Sequence, residues 1–184
     1  FQFPSTHLLR RSGDRKVADL CFLKFDNENV LRLLKDSQAE IDTRGNFSAQ
    51  TFTDIFNQLD TMGKIKKSHG LPSYLKNFIL ENYRQEVTSE VFIEDRLAAA
   101  YYAYATRCGN KFMSSWFEFN MNVSNILVAM TARKFKLAVG NLIVGDSMIC
   151  EALRTSLQRD FGLSGERDYL DQVLKLGDIE DLVE

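Results

Sequence analysis

Apolar residues recur along this chain at helical spacing. Phe52, Ile55, Phe56, Leu59 and Met62 fall at i, i+3, i+4, i+7 and i+10, which puts them on one face of an α-helix. Leu75, Phe78 and Ile79, after the Pro72-Ser73 start, draw a second stripe. Ile149, Leu153, Leu157 and Phe161 draw a third, predicting a helix over 148–161, and Tyr169, Leu170, Val173 and Leu174 a fourth. Period-two alternation, the mark of a half-buried strand, is hard to find. The pattern predicts an all-α fold, a multi-helix bundle. The segment 89–107 carries small and aromatic residues all round the helix, from Leu97 to Ala105, and so predicts a central helix buried between several neighbours.

Two prolines, Pro4 and Pro72, leave long helices permitted nearly everywhere, so the glycines become the main punctuation. The stretch from Gly63 to Pro72, with Lys64, Lys66, Lys67 and His69, reads as an exposed hinge or loop. It divides an N-terminal helical lobe (1–63) from a C-terminal one (73–184), with the hinge at 64–72, unless the whole is one continuous domain.

The chain also repeats itself. Asp26-Asn27-Glu28-Asn29-Val30-Leu31 and Asn122-Val123-Ser124-Asn125-Ile126-Leu127 share the pattern Asp/Asn, two residues, Asn, Val/Ile, Leu, at an offset of 96 positions. The first copy follows Leu20, Phe22, Leu23 and Phe25, the second Phe112, Trp116, Phe117 and Phe119, so the repeated unit reads as helix, sharp corner, helix. At such a corner the polar residues have the chemistry of a helix start. Asp26 or Asn122 accepts from the backbone N–H three residues on, and Asn29 or Asn125 reaches back. All four are expected as structural helix caps.

Composition narrows the partners. Among 184 residues, 23 basic and 25 acidic side chains give a net charge of −2, which argues against broad capture of nucleic acid and against a polybasic membrane anchor. Cys21, Cys108 and Cys150 are far apart, odd in number and set in apolar helical patterns, so they read as reduced thiols of a cytosolic protein. His7 and His69 lack a second ligand at metal spacing, and no metal or cofactor is expected. Apolar runs such as 97–105 and 137–144 fall far short of the ~20 residues of a membrane span. The chain opens on Phe1 and closes on an acidic helical pattern over 178–184, which reads as a piece of a longer protein.

Candidate chemistry resolves into structure. Gly145-Asp146-Ser147 lacks the preceding strand and histidine partner of a hydrolase nucleophile, and reads as an N-cap. Gly162-Leu163-Ser164-Gly165 lacks the Lys-Ser/Thr pair of a phosphate loop. Glu94 and Asp95 suit the first turn of a helix, where carboxylates favour the dipole. The basic groups Lys64, Lys66 and Lys67 and Arg133, Lys134 and Lys136 are solvated by default. Their sharper reading is as candidate partner contacts, docking an acidic partner. No catalytic residue is assigned.

The run from Asp19 to Asp36 resembles a bacterial family of unknown function whose genes lie among those of V-type ATP synthases. The repeated corner, with Asn122-x-x-Asn125-Ile126 and then Ala132-Arg133-Lys134-Phe135 as its second copy, is similar to the C-type, stalk-docking component of rotary V/A-type ATPases. The resemblance implies an all-helical protein with pseudo-repeats and no catalytic residues of its own, which docks the central rotor stalk onto the membrane ring of proteolipid subunits. It implies a place at the cytoplasmic face of the inner membrane, held there only through protein partners. Two rivals remain: a free-standing helical adaptor, and an enzyme using Tyr101, Tyr102 and Tyr104 with Glu94 or Asp95.

Overall fold

In the computed structural model the described residues are 12–84, 93–166 and 168–177. They form seven α-helices and no strand, as the helical spacing predicts. The chain divides into two compact units, residues 1–88 and 89–184. The first holds α1 (Ser12–Lys35), α2 (Ala49–Met62) and α3 (Ser73–Asn82). The second holds α4 (Ile93–Ala105), α5 (Lys111–Lys134), a 3₁₀ turn (Gly140–Leu142), α6 (Met148–Thr155) and α7 (Asp168–Gly177).

The two units repeat one plan. Each has a helix of 24 residues, α1 and α5, then an irregular connection. A helix capped by serine follows, with Ser48 Oγ accepting from Thr51 N–H and Ser147 Oγ from Cys150 N–H. Each then ends, within the described residues, on a ten-residue helix, α3 or α7. The second residue of that last helix is a tyrosine bonded to the long helix. Tyr74 Oη donates to Asn27 Oδ1 at 2.8 Å, and Asn122 Nδ2 donates to Tyr169 Oη at 3.3 Å.

In the first unit the predicted stripe of α2 is buried at Phe52, Ile55 and Leu59, with Leu23 and Val30 of α1 and Leu75, Phe78 and Ile79 of α3. Burying one such side chain contributes about 1.5–3 kcal/mol before entropy is charged. The stretch 64–72 belongs to this unit rather than dividing two lobes. Ile65 and Leu71 are buried, and the Gln58 side chain accepts from the N–H groups of Lys66 and Lys67 and donates to the Lys67 carbonyl. A loop tied to α2 in this way moves with it. The division falls at 88/89 instead.

In the second unit the central element is α5, which packs against α4, α6 and α7. The sequence predicts α4 in that place, but only Leu97, Tyr101 and Ala105, spaced by four, are buried in it. Ala103 and Tyr104 face solvent, so its small residues do not mark an all-round interior. Residues 89–92 of the expected helix lie outside the described residues. The 148–161 helix is also shorter than its stripe: α6 stops at Thr155, and Leu157 is fully exposed. Phe161 still reaches the core, where it joins Ile126, Ala129, Leu153 and Leu170.

Candidate functional site

The four repeated polar residues are not helix caps. Asp26 and Asn29 lie inside α1, and Asn122 and Asn125 inside α5. No helix starts at either position, so the corner expected there does not exist. All four are buried nonetheless. Asp26, Asn29 and Asn125 find partners in the connection that follows their long helix, whereas Asn122 bonds Tyr169 of α7.

Asn29 Nδ2 donates to the Asp42 carbonyl at 3.0 Å, and its Oδ1 accepts from Asp42 N–H at 2.7 Å. Asn125 does the same to Val144, donating to its carbonyl and accepting from its N–H at 3.0 Å. An asparagine amide carries one donor side and one acceptor side, matching the C=O and N–H of a single residue as a neighbouring strand would. Each asparagine thus satisfies a stretch of irregular backbone that folds back over its own helix.

Asp26 reinforces the first clamp. Its Oδ2 accepts from the backbone N–H and the side-chain amide of Asn46, both at 2.9 Å, and its Oδ1 accepts from Phe47 N–H at 3.1 Å. Burial pushes its carboxyl above the ordinary value, opposed by the bonds from Asn46 and Phe47. The connection presses so closely on it that a Cβ at Gly45 would meet Asp26 Oδ1 at 2.3 Å. In the second unit Asn122 stands where Asp26 does, and its Oδ1 has no hydrogen-bond partner among the described residues. The repeat marks these four polar residues in the sequence but not Asp42, Gly45, Asn46 or Val144. A turn-forming glycine within 20 residues of a repeated Asx pair is the only signal that points to them.

The two basic groups differ. Lys64, Lys66 and Lys67 are exposed on the loop after α2. Arg133 is engaged: its guanidinium stacks on the Phe161 ring at 3.5 Å and donates to the carbonyls of Ser156, Gln158 and Arg159. Lys134 and Lys136 project into solvent beside it. The structure therefore assigns Arg133 to holding the α6–α7 connection and leaves the two lysines available.

The Tyr101 and Tyr102 rings touch, with centroids 5.4 Å apart, but the three tyrosines do not converge on one cleft. Tyr101 is buried edge-on against Phe117, with ring centroids 5.6 Å apart, and Tyr104 points outward. Tyr102 alone lines a cleft of about 720 Å³ with Asp95, Arg96, Glu118 and Arg154. Burial raises Tyr102, and burial followed by the neighbouring Glu94 charge raises Asp95. Among the described residues no group of acidic, histidine or cysteine side chains is placed to hold a metal ion. No helix among them is long and apolar enough to cross a membrane.

Over residues 7–184 the chain matches the family described as a protein of unknown function (DUF2764). No curated protein and no solved structure matches it.

Proposed function

The chain belongs to the DUF2764 family, and from that premise we propose that it is a non-catalytic peripheral subunit of a bacterial V-type ATP synthase or ATPase. In this reading it links the central rotor stalk to the membrane proteolipid ring at the cytoplasmic face of the inner membrane. The observation that supports the reading is the duplicated Asx-x-x-Asn pair: the corner on which the resemblance to the stalk-docking component rests is absent, and what recurs is a buried clamp inside each long helix. In each copy it locks the connection after a long helix onto that helix through two bonds from one amide.

Such locking suits a coupling element. Torque passes through a body only if its connections do not yield, and an irregular stretch whose part-buried N–H and C=O are held by the adjacent helix opens less readily than one solvated by water. Close-packed helices supply the rest of the stiffness.

Affinity-tagged protein, expressed in its native host and recovered from gently solubilised membranes, tests the reading. Rotor-stalk and proteolipid-ring subunits are expected to co-purify. Their absence above an untagged control would overturn the assignment in favour of a free-standing adaptor. The cleft beside Asp95 and Tyr102 favours a second reading, binding of a small molecule by the second unit. A metabolite library that raises the melting temperature of wild type but not of Tyr102→Ala would support it.

A further inference from the structure

The C-terminal end of α5 is built differently from the same end of α1. Both helices finish on a lysine, Lys35 and Lys134. After α1 come Asp36, Ser37 and Gln38, a polar turn closed by Asp36 N–H on the Arg32 carbonyl and by Gln38 N–H on Asp36 Oδ1. After α5 come Phe135, Lys136 and Leu137, with Phe135 65% and Leu137 56% exposed. The first unit shows that the shared plan closes this turn without showing apolar side chains to water.

The turn after α5 is also strained. Lys136 has φ 56°, the left-handed region that favours glycine. Its N–H reaches the Arg133 carbonyl, and Leu137 N–H reaches that of Ala132 at 2.8 Å. In helix ends of this kind the residue after the left-handed one packs back on the last turn; here that residue, Leu137, stays out in solvent. Beyond the shared asparagine α5 runs to Lys134 and α1 only to Lys35, three residues further, or about 4.5 Å at the helical rise. Arg133 fixes this projecting end to the 156–161 connection. The result is a rigid knuckle with an aromatic and an aliphatic tip, flanked by Lys134 and Lys136, which make no ion pair among the described residues.

We propose that Lys134, Phe135, Lys136 and Leu137 form a protein-docking knuckle whose partner offers an apolar pocket rimmed by carboxylates. On the function proposed above, that partner is a stalk or ring subunit of the rotary ATPase. An aromatic anchor ringed by charges of one sign is how small interfaces gain both affinity and orientation. An anionic bilayer is the poorer match: two free lysines and two apolar tips make a weak membrane anchor on a chain of net charge −2.

The test replaces Phe135, and separately Lys66, with the photo-crosslinking amino acid benzoylphenylalanine in the tagged full chain in its native host. A crosslink from position 135, but not 66, to a stalk or ring subunit is expected. The double variant Phe135→Ser/Leu137→Ser should keep the wild-type melting temperature, since both side chains are exposed, and lower recovery of that subunit by roughly tenfold or more. Undiminished recovery with this variant and no crosslink at 135 would overturn the knuckle while leaving the coupling role standing. Failure of wild type to recover any ATPase subunit would overturn the coupling role itself, and with it the partner named here. Sedimentation with phosphatidylcholine–phosphatidylglycerol vesicles that Phe135→Ser/Leu137→Ser abolishes would replace the protein partner with a membrane.

Discussion

Asn29 and Asn125 perform the same task 96 positions apart: each closes a pair of hydrogen bonds on the backbone N–H and C=O of one residue, Asp42 or Val144, in the connection that follows its own helix. The connections share no obvious sequence, Asp42-Thr43-Arg44-Gly45 against Val144-Gly145-Asp146-Ser147. What recurs is the asparagine and the requirement it meets, since irregular backbone lying against a helix must find partners for its polar groups.

Replacing either asparagine with alanine strands those two backbone groups. An unsatisfied buried polar group costs about 1–3 kcal/mol, so Asn29→Ala is expected to lower the urea midpoint markedly. Asn29→Asp should be worse, because it keeps the acceptor but turns a negative oxygen toward the Asp42 carbonyl. Equilibrium unfolding followed by circular dichroism reads both. A midpoint unchanged in Asn29→Ala would mean that water replaces the clamp without loss.

Gly45 and Asp26 form a coupled pair. A methyl group at position 45 would stand 2.3 Å from Asp26 Oδ1, so Gly45→Ala must displace the connection or the carboxylate at a cost of about 1–3 kcal/mol. In an Asp26→Ser background the oxygen met at 2.3 Å is gone, and the same change should cost less. A double-mutant cycle measures the difference. Equal costs in the two backgrounds would place the effect of the methyl group elsewhere.

The overall class and the polar positions are legible in the sequence for a simple reason: both leave a periodic or repeated mark. The stripe at Phe52, Ile55 and Leu59 is buried because helical spacing decides which side of a helix meets the core. The repeat at Asp26, Asn29, Asn122 and Asn125 is visible, but its meaning is not, and the cap it suggests is wrong. Asx residues before an apolar run look the same whether they start a helix or sit inside one, bonded to a distant loop. The deciding contacts, 13 and 19 residues apart in the chain, have no local signature. The same holds for Arg133, whose carbonyl partners lie 23 to 26 residues on. Helix α4 misleads in the opposite direction, because alanine is as much at home on a helix surface as in a tight interface.

The Asp42 carboxylate gives a pH signature for the first connection. Arg44 holds it at about 2, first through its side chain, with Nε at 3.0 Å from Oδ1, and then through its backbone N–H. A folded value below the unfolded one means that the fold favours the ionised form. Its contribution is therefore fully present above the ordinary carboxylate value of 3.8 and is lost as pH falls through about 2. Carbon-detected NMR titration should find the low midpoint in wild type and a shift back toward the ordinary value in Arg44→Ala. A wild-type midpoint near the ordinary value would remove the pairing.

Arg133 offers the sharpest distinction between charge and shape. Its guanidinium carbon lies 3.5 Å from the centroid of the Phe161 ring while its N–H groups reach the carbonyls of Ser156, Gln158 and Arg159, so one group both covers the ring and donates in several directions. Lysine keeps the charge but presents a compact ammonium that does neither well. Arg133→Lys is therefore expected to lose most of what Arg133→Ala loses, about 2–3 kcal/mol for a charged donor set with an aromatic stack. Residues 156–163 should then exchange their amide hydrogens faster, while those around Asn125 and Val144 keep their protection. If Arg133→Lys retains wild-type stability and exchange, the side chain matters only as a positive charge, and it should then be counted with Lys134 and Lys136 as part of the partner-facing surface.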